Sequence, residues 1–396
     1  MLYEFFIITA LTLYALLAWT RNTYALYLLA ALLPTYLLRL NIFGVPTTFL
    51  EVTTLIIFFI GLLKEDIRRH WLQLWHKTPL IFKVAMFIFI VSAFFSVFVN
   101  VPVDPFERNA ALRRSLGIFK GFIIVPMIWG WIVTTQKRSS ALIFSGVIVS
   151  VLGLFQIFSV NRITSVYDVP NSLALFLVPL IILTICNTGV FNKISGIIMF
   201  VALLGTRSVG GIIALSTLYV LPPFTKTKKL IVLIILLLIF FWPRLTYFLN
   251  NQSPTSLDVR LQLWRVATQL IKQQPFVGIG LGRFEPVYQQ VLHQWFFERR
   301  PNLVPEFVFR DPHNWVFSFW LNTGLLGLLS FIALHLIALF KAEKPMQLAL
   351  ISLLLFGLVD TIYWKNDLAS LQWFLLFYSV VTRKEVLVDL KQIGGL

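Results

Sequence analysis

Three side chains suited to phosphate or proton chemistry stand far apart in this chain, each at the edge of an apolar run. Arg207 lies in L-L-G-T-R-S-V-G-G-I-I, Arg260 in L-D-V-R-L-Q-L-W-R, and His313 in D-P-H-N-W-V-F. An ionisable residue between two apolar half-length runs is costly, so Arg207 is a functional candidate by default. The competing reading is that it snorkels to the interface, or pairs with a carboxylate such as Asp360. Gly205, Gly210 and Gly211 beside it let backbone or ligand approach closely. An imidazole of ordinary pKa, about 6.5, takes a proton near neutrality. His313 therefore reads as a general base, or simply as a cap of the following helix together with Asn314. Asn314 could instead orient the ring or a sugar hydroxyl. Arg260 and Arg265 are five residues apart, about 140° around a regular helix, so both cannot face one site, and the sequence does not choose between them.

Other chemistries find less support. No partner cysteines or histidines lie at metal-ligand spacing, His293 stands alone, and there is no D-x-D pair. The expectation is no metal and no cofactor. G-I-G-L-G at 278–282 has no strand before it and no βαβ unit around it, so it reads as a close-packed turn rather than a phosphate loop.

The elements that must position these residues follow from composition. The 396 residues are 58% hydrophobic and 13% charged, with a mean hydropathy of +0.83. A soluble chain carries about 25% charged residues, so this one cannot cover a water-facing surface. Apolar segments recur at roughly 2–19, 24–40, 47–63, 79–99, 117–134, 140–160, 171–188, 192–205, 208–222, 229–248, 315–340, 345–362 and 368–382. Many are long enough for a hydrocarbon core of roughly 30 Å. Backbone in lipid must satisfy its own hydrogen bonds, and no alternating barrel pattern occurs. The expected fold is all-α: a polytopic membrane protein of about 12 transmembrane helices in one integral domain, 1–396. The first segment follows Met1–Glu4 without a basic n-region or a cleavage site, so it reads as a first span rather than a signal peptide. The lone Cys186 allows no disulfide within the chain.

The net charge of +16 has two readings. Lys and Arg pin cytoplasmic loops, or some arginines on the other side bind an anion. No basic face stands on a soluble domain, so nucleic acid is not expected. Basic clusters at Lys64, Arg68, Arg69 and Lys77, at Lys137 and Arg138, at Lys226, Lys228 and Lys229, at Lys341 and Lys344, and at Arg383, Lys384 and Lys391 mark one side. That puts 100–116, 161–170, the region of 207, and 243–314 on the other. Two spans before residue 47 place Met1 outside; one places it inside. The segment 243–314 is the sizeable water-exposed piece. Within it, Ser256 is a plausible N-cap and 257–273 reads as an amphipathic helix, with Leu257, Leu261, Trp264 and Ile271 on one stripe. Pro275 stops it. Lying on the membrane surface is its plain reading. Trp295, Phe296, Phe297, Trp315 and Phe319 suit stacking on sugar faces and interfacial anchoring about equally.

Three stretches together resemble a known family. His313 and Asn314 are followed after nine residues by G-L-L-G, Gly324 to Gly327. G-T-R-S-V-G-G surrounds Arg207, and R-L-Q-L-W-R-V-A-T-Q-L-I-K-Q-Q-P-F-V-G-I-G-L-G-R-F spans 260–284. In order and rough spacing these resemble the O-antigen ligase/polymerase superfamily of bacterial membrane glycosyltransferases. The likeness covers about 200–330; the first 190 residues agree only as a helix pattern. It implies a GT-C-like multi-pass fold in the bacterial inner membrane, with a large periplasmic loop and an active site facing the periplasm. The implied donor is an undecaprenyl-diphosphate-linked glycan, and the implied acceptor is lipid A core or another hydroxyl. The implied reaction is metal-independent and inverting. His313 would be the general base, Arg207 and Arg260 would hold the diphosphate, and Asn314, Arg265, Gly324 and Gly327 would help bind substrate. Polysaccharide polymerase and protein O-oligosaccharyltransferase are the alternatives within the superfamily. The short tail after residue 382 lacks the added domain of some protein-glycosylating members, and the ligase is the expectation. A polyprenyl-linked glycan flippase is the rival outside it, although no matching pair of interrupted helices occurs in the two halves.

Overall fold

A computed structural model describes residues 2–42, 45–134, 140–186, 189–220, 256–298 and 309–381. The expected span 229–248 and the tail lie outside the described residues, as do the side chains of Phe296 and Phe297. The described chain is helical apart from one two-stranded hairpin. Two helices, Pro105–Thr134 and Trp315–Lys341, are long and apolar enough to cross a membrane. A third joins them if Glu65–Lys77 and Leu80–Ser96, bent by 102°, form one span. Shorter apolar helices of 10–17 residues accompany them.

In chain order the helices α1 to α5 are Leu2–Thr20, Asn22–Ala31, Phe49–Leu63, Glu65–Lys77 and Leu80–Ser96. The rod Pro105–Thr134 comprises α6 (Pro105–Ile118), a π-helical turn (Phe119–Ile124) and α7 (Val125–Thr134). Then come α8 (Ser140–Phe155), α9 (Pro170–Ile185), α10 (Val190–Thr206), α11 (Val209–Val220), α12 (Ser256–Gln273), α13 (Phe284–Phe297), α14 (Trp315–Lys341), α15 (Lys344–Phe356) and α16 (Asn366–Val381). A helix apolar all round must be central, and α9 is: Ser172 to Thr184 are buried without interruption. α14 packs along α5, and α16 along α7. Phe319 and Phe331 of α14 stack at 3.7 Å, with Phe89 of α5 against both. Outside, Phe5, Phe87, Phe155 and Phe158 point away from the protein.

Three expectations change. The apolar run before residue 47 does not stay helical. A 3-10 turn (Leu33–Leu37) leads into β1 (Arg39–Ile42), antiparallel to β2 (Val45–Thr48). The β-branched residues of β2 favour extension, and Thr48 then caps α3 by accepting from Glu51 N at 3.2 Å. The outer stretch 100–116 is largely helix. Asp104 Oδ2 accepts from Glu107 N at 2.9 Å with Pro105 in the first turn, a helix start of the usual kind. Residues 284–297 form a helix that was not anticipated. The loop helix runs Ser256–Gln273, with Ser256 inside it rather than as its cap, and it buries Val259, Leu263, Val266, Leu270 and Ile271, whereas Leu257 and Leu261 of the named stripe are exposed.

The ends of the bundle also sort. Lys64 Nζ reaches the Trp19 carbonyl, so the α1–α2 turn lies at the Lys64 end, and α3 separates it from the hairpin. The stretches assigned to the outer side meet one another. Asn100 Nδ2 donates to Gln274 Oε1 (2.8 Å), Arg114 pairs with Glu285 (2.5 Å), and Ser115 Oγ donates to the Leu281 carbonyl (2.7 Å).

The glycine turn 278–282 docks into a break in α14. Gly324 there has φ 74°, ψ 178°. The freed Leu321 carbonyl accepts from Ile279 N (2.9 Å) and Gly280 N (3.3 Å), and Leu325 N donates to the Phe276 carbonyl (2.9 Å). Asn322 Oδ1 accepts from Gly282 N at 2.8 Å. Broken helix backbone survives at membrane depth only where protein satisfies it.

Candidate active site

His313 is fixed from both sides along the chain. Asn314 Oδ1 accepts from Val316 N (2.9 Å) and Phe317 N (3.3 Å), capping α14, while its Nδ2 donates to the Leu358 carbonyl (2.9 Å). Trp315 N donates to the Gly357 carbonyl at 2.8 Å. Together these bonds join the start of α14 to the turn after α15, which carries Asp360.

His313 Nδ1 is 3.3 Å from Asp360 Oδ1 and 3.9 Å from Asp311 Oδ1. Its backbone N–H donates to Asp311 Oδ1 at 2.9 Å. Thr361 ties the two carboxylates together, its N–H donating to Asp360 Oδ1 (2.8 Å) and its hydroxyl to Asp311. Burial opposes charge on the imidazole. Asp311 and the Asp360 hydrogen bond outweigh it, against Arg260, and His313 titrates above its ordinary value. Burial also opposes charge on Asp360, yet His313, the Thr361 N–H and Arg260 hold its carboxyl below the usual range.

Arg260 reaches the same carboxylate. Its Nη2 is 3.8 Å from Asp360 Oδ2, its Nε donates to the Val359 carbonyl (2.7 Å) and its Nη1 to the Ser256 carbonyl (3.1 Å). Arg265 faces elsewhere, exposed over an open groove with Trp264 and Lys272. The structure thus makes the choice between these arginines that helical spacing left open.

Arg207 sits at the C-terminus of α10 and donates to Asn161 Oδ1. It does not pair with Asp360 as the competing reading had it; a relay connects them instead. Arg162 donates from Nε to the Thr206 carbonyl (2.9 Å) and from Nη2 to Asn171 Oδ1 (3.2 Å), and Asn171 Nδ2 donates to Asp360 Oδ2 (2.6 Å). Arg207 and His313 are also two of the four non-glycine residues with positive φ among those described, both at 50°. Such conformations cost of order 1–3 kcal/mol and cluster at functional sites.

Gly324 and Gly327 lie where chain meets chain. A Cβ on Gly324 would sit 2.5 Å from the Phe276 carbonyl, and one on Gly327 would overlap Thr323 Oγ1. Phe319 is buried in the aromatic core. Arg162, Asn171 and Thr361 escaped the sequence reading. Their signal was faint: N-R at 161–162 opens the stretch 161–170 assigned to the outer side, and Asn171 stands just past it, at the head of the apolar segment 171–188. A cavity of about 670 Å³ opens beside Asp311.

Apolar helices surround a buried carboxylate that meets a histidine and an arginine, and the chain is helical with helices of the apolar kind found in membranes. Residues 194–332 match the family model described as O-Antigen ligase, and this supports the O-antigen ligase superfamily, whose members are membrane glycosyltransferase-like enzymes. No curated protein matches the chain. The matched stretch holds Arg207, Arg260 and His313; Arg162, Asn171, Asp360 and Thr361 lie outside it.

Proposed function

We propose that this protein is an O-antigen ligase-like glycosyltransferase of the bacterial inner membrane, its site open to the periplasm. It moves a glycan from undecaprenyl diphosphate to an acceptor hydroxyl, lipid A core being the acceptor class the resemblance implies. His313 donates a hydrogen bond from Nδ1–H to Asp360, which leaves the lone pair on Nε2. That nitrogen takes the acceptor's hydroxyl proton as the oxygen attacks the anomeric carbon. The bond from that carbon to the diphosphate oxygen breaks, its electron pair leaves on the diphosphate, and the configuration inverts. Arg207 and Arg260 neutralise the departing charge, a task for which a permanently charged planar fork is suited. Asn314 acts as a positioning residue through its cap.

A general base contributes about 10²–10⁴-fold, and electrostatic stabilisation of the leaving group usually contributes more. One observation carries the reading: His313 and Arg260 converge on Asp360, which the Arg162–Asn171 relay links to the Arg207 end of α10. The test is incubation of the purified protein with an undecaprenyl-diphosphate glycan and a glycolipid acceptor, with the linkage analysed by mass and NMR. The expected result is a new, inverted glycosidic bond. Movement of the lipid across liposomes with no new bond would favour the flippase.

A further inference from the structure

We propose that the cavity beside Asp311 is the acceptor's binding site and that it selects a sugar bearing a phosphate or carboxylate group. The inference rests on the transfer reading above and names that reaction's second substrate class.

Its volume, about 670 Å³, falls in the usual range of ligand pockets, about 300–1,000 Å³. Its walls come from separate parts of the chain: Tyr36 and Arg39 around the hairpin, Phe122 of the π-helical turn, Arg310, and Trp364 with Lys365 after α15. π-helical turns are rare and occur frequently at functional sites. This one is braced, because Lys120 pairs with Glu51 (2.7 Å) and donates to the Pro46 carbonyl (2.8 Å), tying the turn to the hairpin.

The charges do not balance. Arg114 and Glu285, also in the walls, are paired with each other. Asp311 is committed to the His313 N–H and Thr361. Among the described residues, the side chains of Arg39, Arg310 and Lys365 make no hydrogen bond or ion pair, and the carboxylate in the walls left to face them is Asp168; Lys365 also acts on Asp367, buried outside the lining. Three cations against one anion favour a negatively charged ligand, and arginine forks match phosphate and carboxylate geometry. Tyr36, Phe122 and Trp364 add ring faces for the apolar side of a sugar. The cavity reaches Asp311, whose Oδ1 is 3.9 Å from His313 Nδ1, so it opens on the carboxylate side of the imidazole, beside the segment that carries the proposed base. Neither Arg207 nor Arg260 lines it, which leaves the donor's diphosphate a separate place.

The full-length protein in nanodiscs is titrated calorimetrically with glucose, glucose 6-phosphate, glucuronate and inorganic diphosphate. Arg39→Gln, Arg310→Gln and Lys365→Gln are compared with wild type, and Arg310→Lys serves as the charge-keeping variant. The two charged sugars are expected to bind at least tenfold tighter than glucose. Each Gln variant should lose about tenfold of that preference, the scale of one charged hydrogen bond, with Arg310→Lys retaining most of it. Diphosphate binding should not change, which also shows the variants are folded. A wild type with no preference for charged sugars overturns the proposal. So does parallel loss of diphosphate binding, which gives the cavity to the donor. Charged-sugar binding with no transfer from the lipid-linked donor sinks the transfer reading and the acceptor role with it. Transfer without charged-sugar binding sinks only the cavity.

Discussion

Asp360 binds His313 through one oxygen and Arg260 and Asn171 through the other. The carboxylate therefore does for the histidine what it also does for the arginine, holding each in one orientation. It also sets the protonation of the base. With the imidazole pKa raised, His313 becomes neutral and competent only as pH climbs past that raised value, so kcat/KM should fall on the acid side. Asp360→Asn removes the main hydrogen-bonded anion and leaves Arg260 opposing charge on the ring. The acid limb of kcat/KM should then move to lower pH, while the plateau drops by about 10²-fold or more. A pH-rate profile of the two enzymes measures both effects; a limb that stays in place means His313 and Asp360 are not the titrating pair. Sequence alone put His313 and Arg207 forward because cations and imidazoles at apolar borders stand out chemically, while Arg260 was singled out from Arg265 only by the family resemblance. Asp360 was visible only as a possible partner for the wrong arginine, and Asn171 not at all. Their roles arise from contacts 47 and 189 residues away along the chain, which no local pattern encodes.

At the scale of elements, the junction between the glycine turn and the break in α14 decides whether the loop helix α12 is held against the bundle. Gly278 and Gly324 have φ of 70° and 74°, and a Cβ on either would run into a backbone carbonyl oxygen. Gly278→Ala or Gly324→Ala should therefore destabilise the protein by about 2 kcal/mol or more and lower the thermal midpoint in detergent. Activity should fall with it, since Arg260 loses its support; an unchanged midpoint would show the junction to be slack. The turn was legible because glycines so spaced with no strand before them suit close packing. The helical spacing of 257–273 was legible, but the face that packs carries Val259, Leu263, Val266 and Leu270 rather than Leu257 and Leu261. The hairpin and α6 were not. Arg39 lay in the apolar segment 24–40, and Arg113 and Arg114 in a stretch placed only on the outer side, whereas a cap at Asp104 and the pairing of Arg114 with Glu285 make that stretch ordered helix.

At the scale of the whole molecule, charge separates the two ends. Lys64 and the basic residues of α4 gather at one, and the Asp360 centre at the other. In the proposed orientation the second end is periplasmic. With Cys186 first replaced by Ser, a single Arg265→Cys should react with a membrane-impermeant maleimide in intact spheroplasts, and a single Lys77→Cys only after permeabilisation. The opposite pattern reverses the orientation and removes periplasmic donors from consideration.

The relay from Arg162 through Asn171 to Asp360 is assembled from segments on both flanks of 194–332. Exchanging that middle stretch between homologous enzymes would transplant the cations and the imidazole while leaving behind the anion that organises them. A chimera cut at those boundaries inherits half a circuit. Seams placed before residue 161 and after residue 361 carry it over entire, which sets the smallest unit that can be moved from one such enzyme to another.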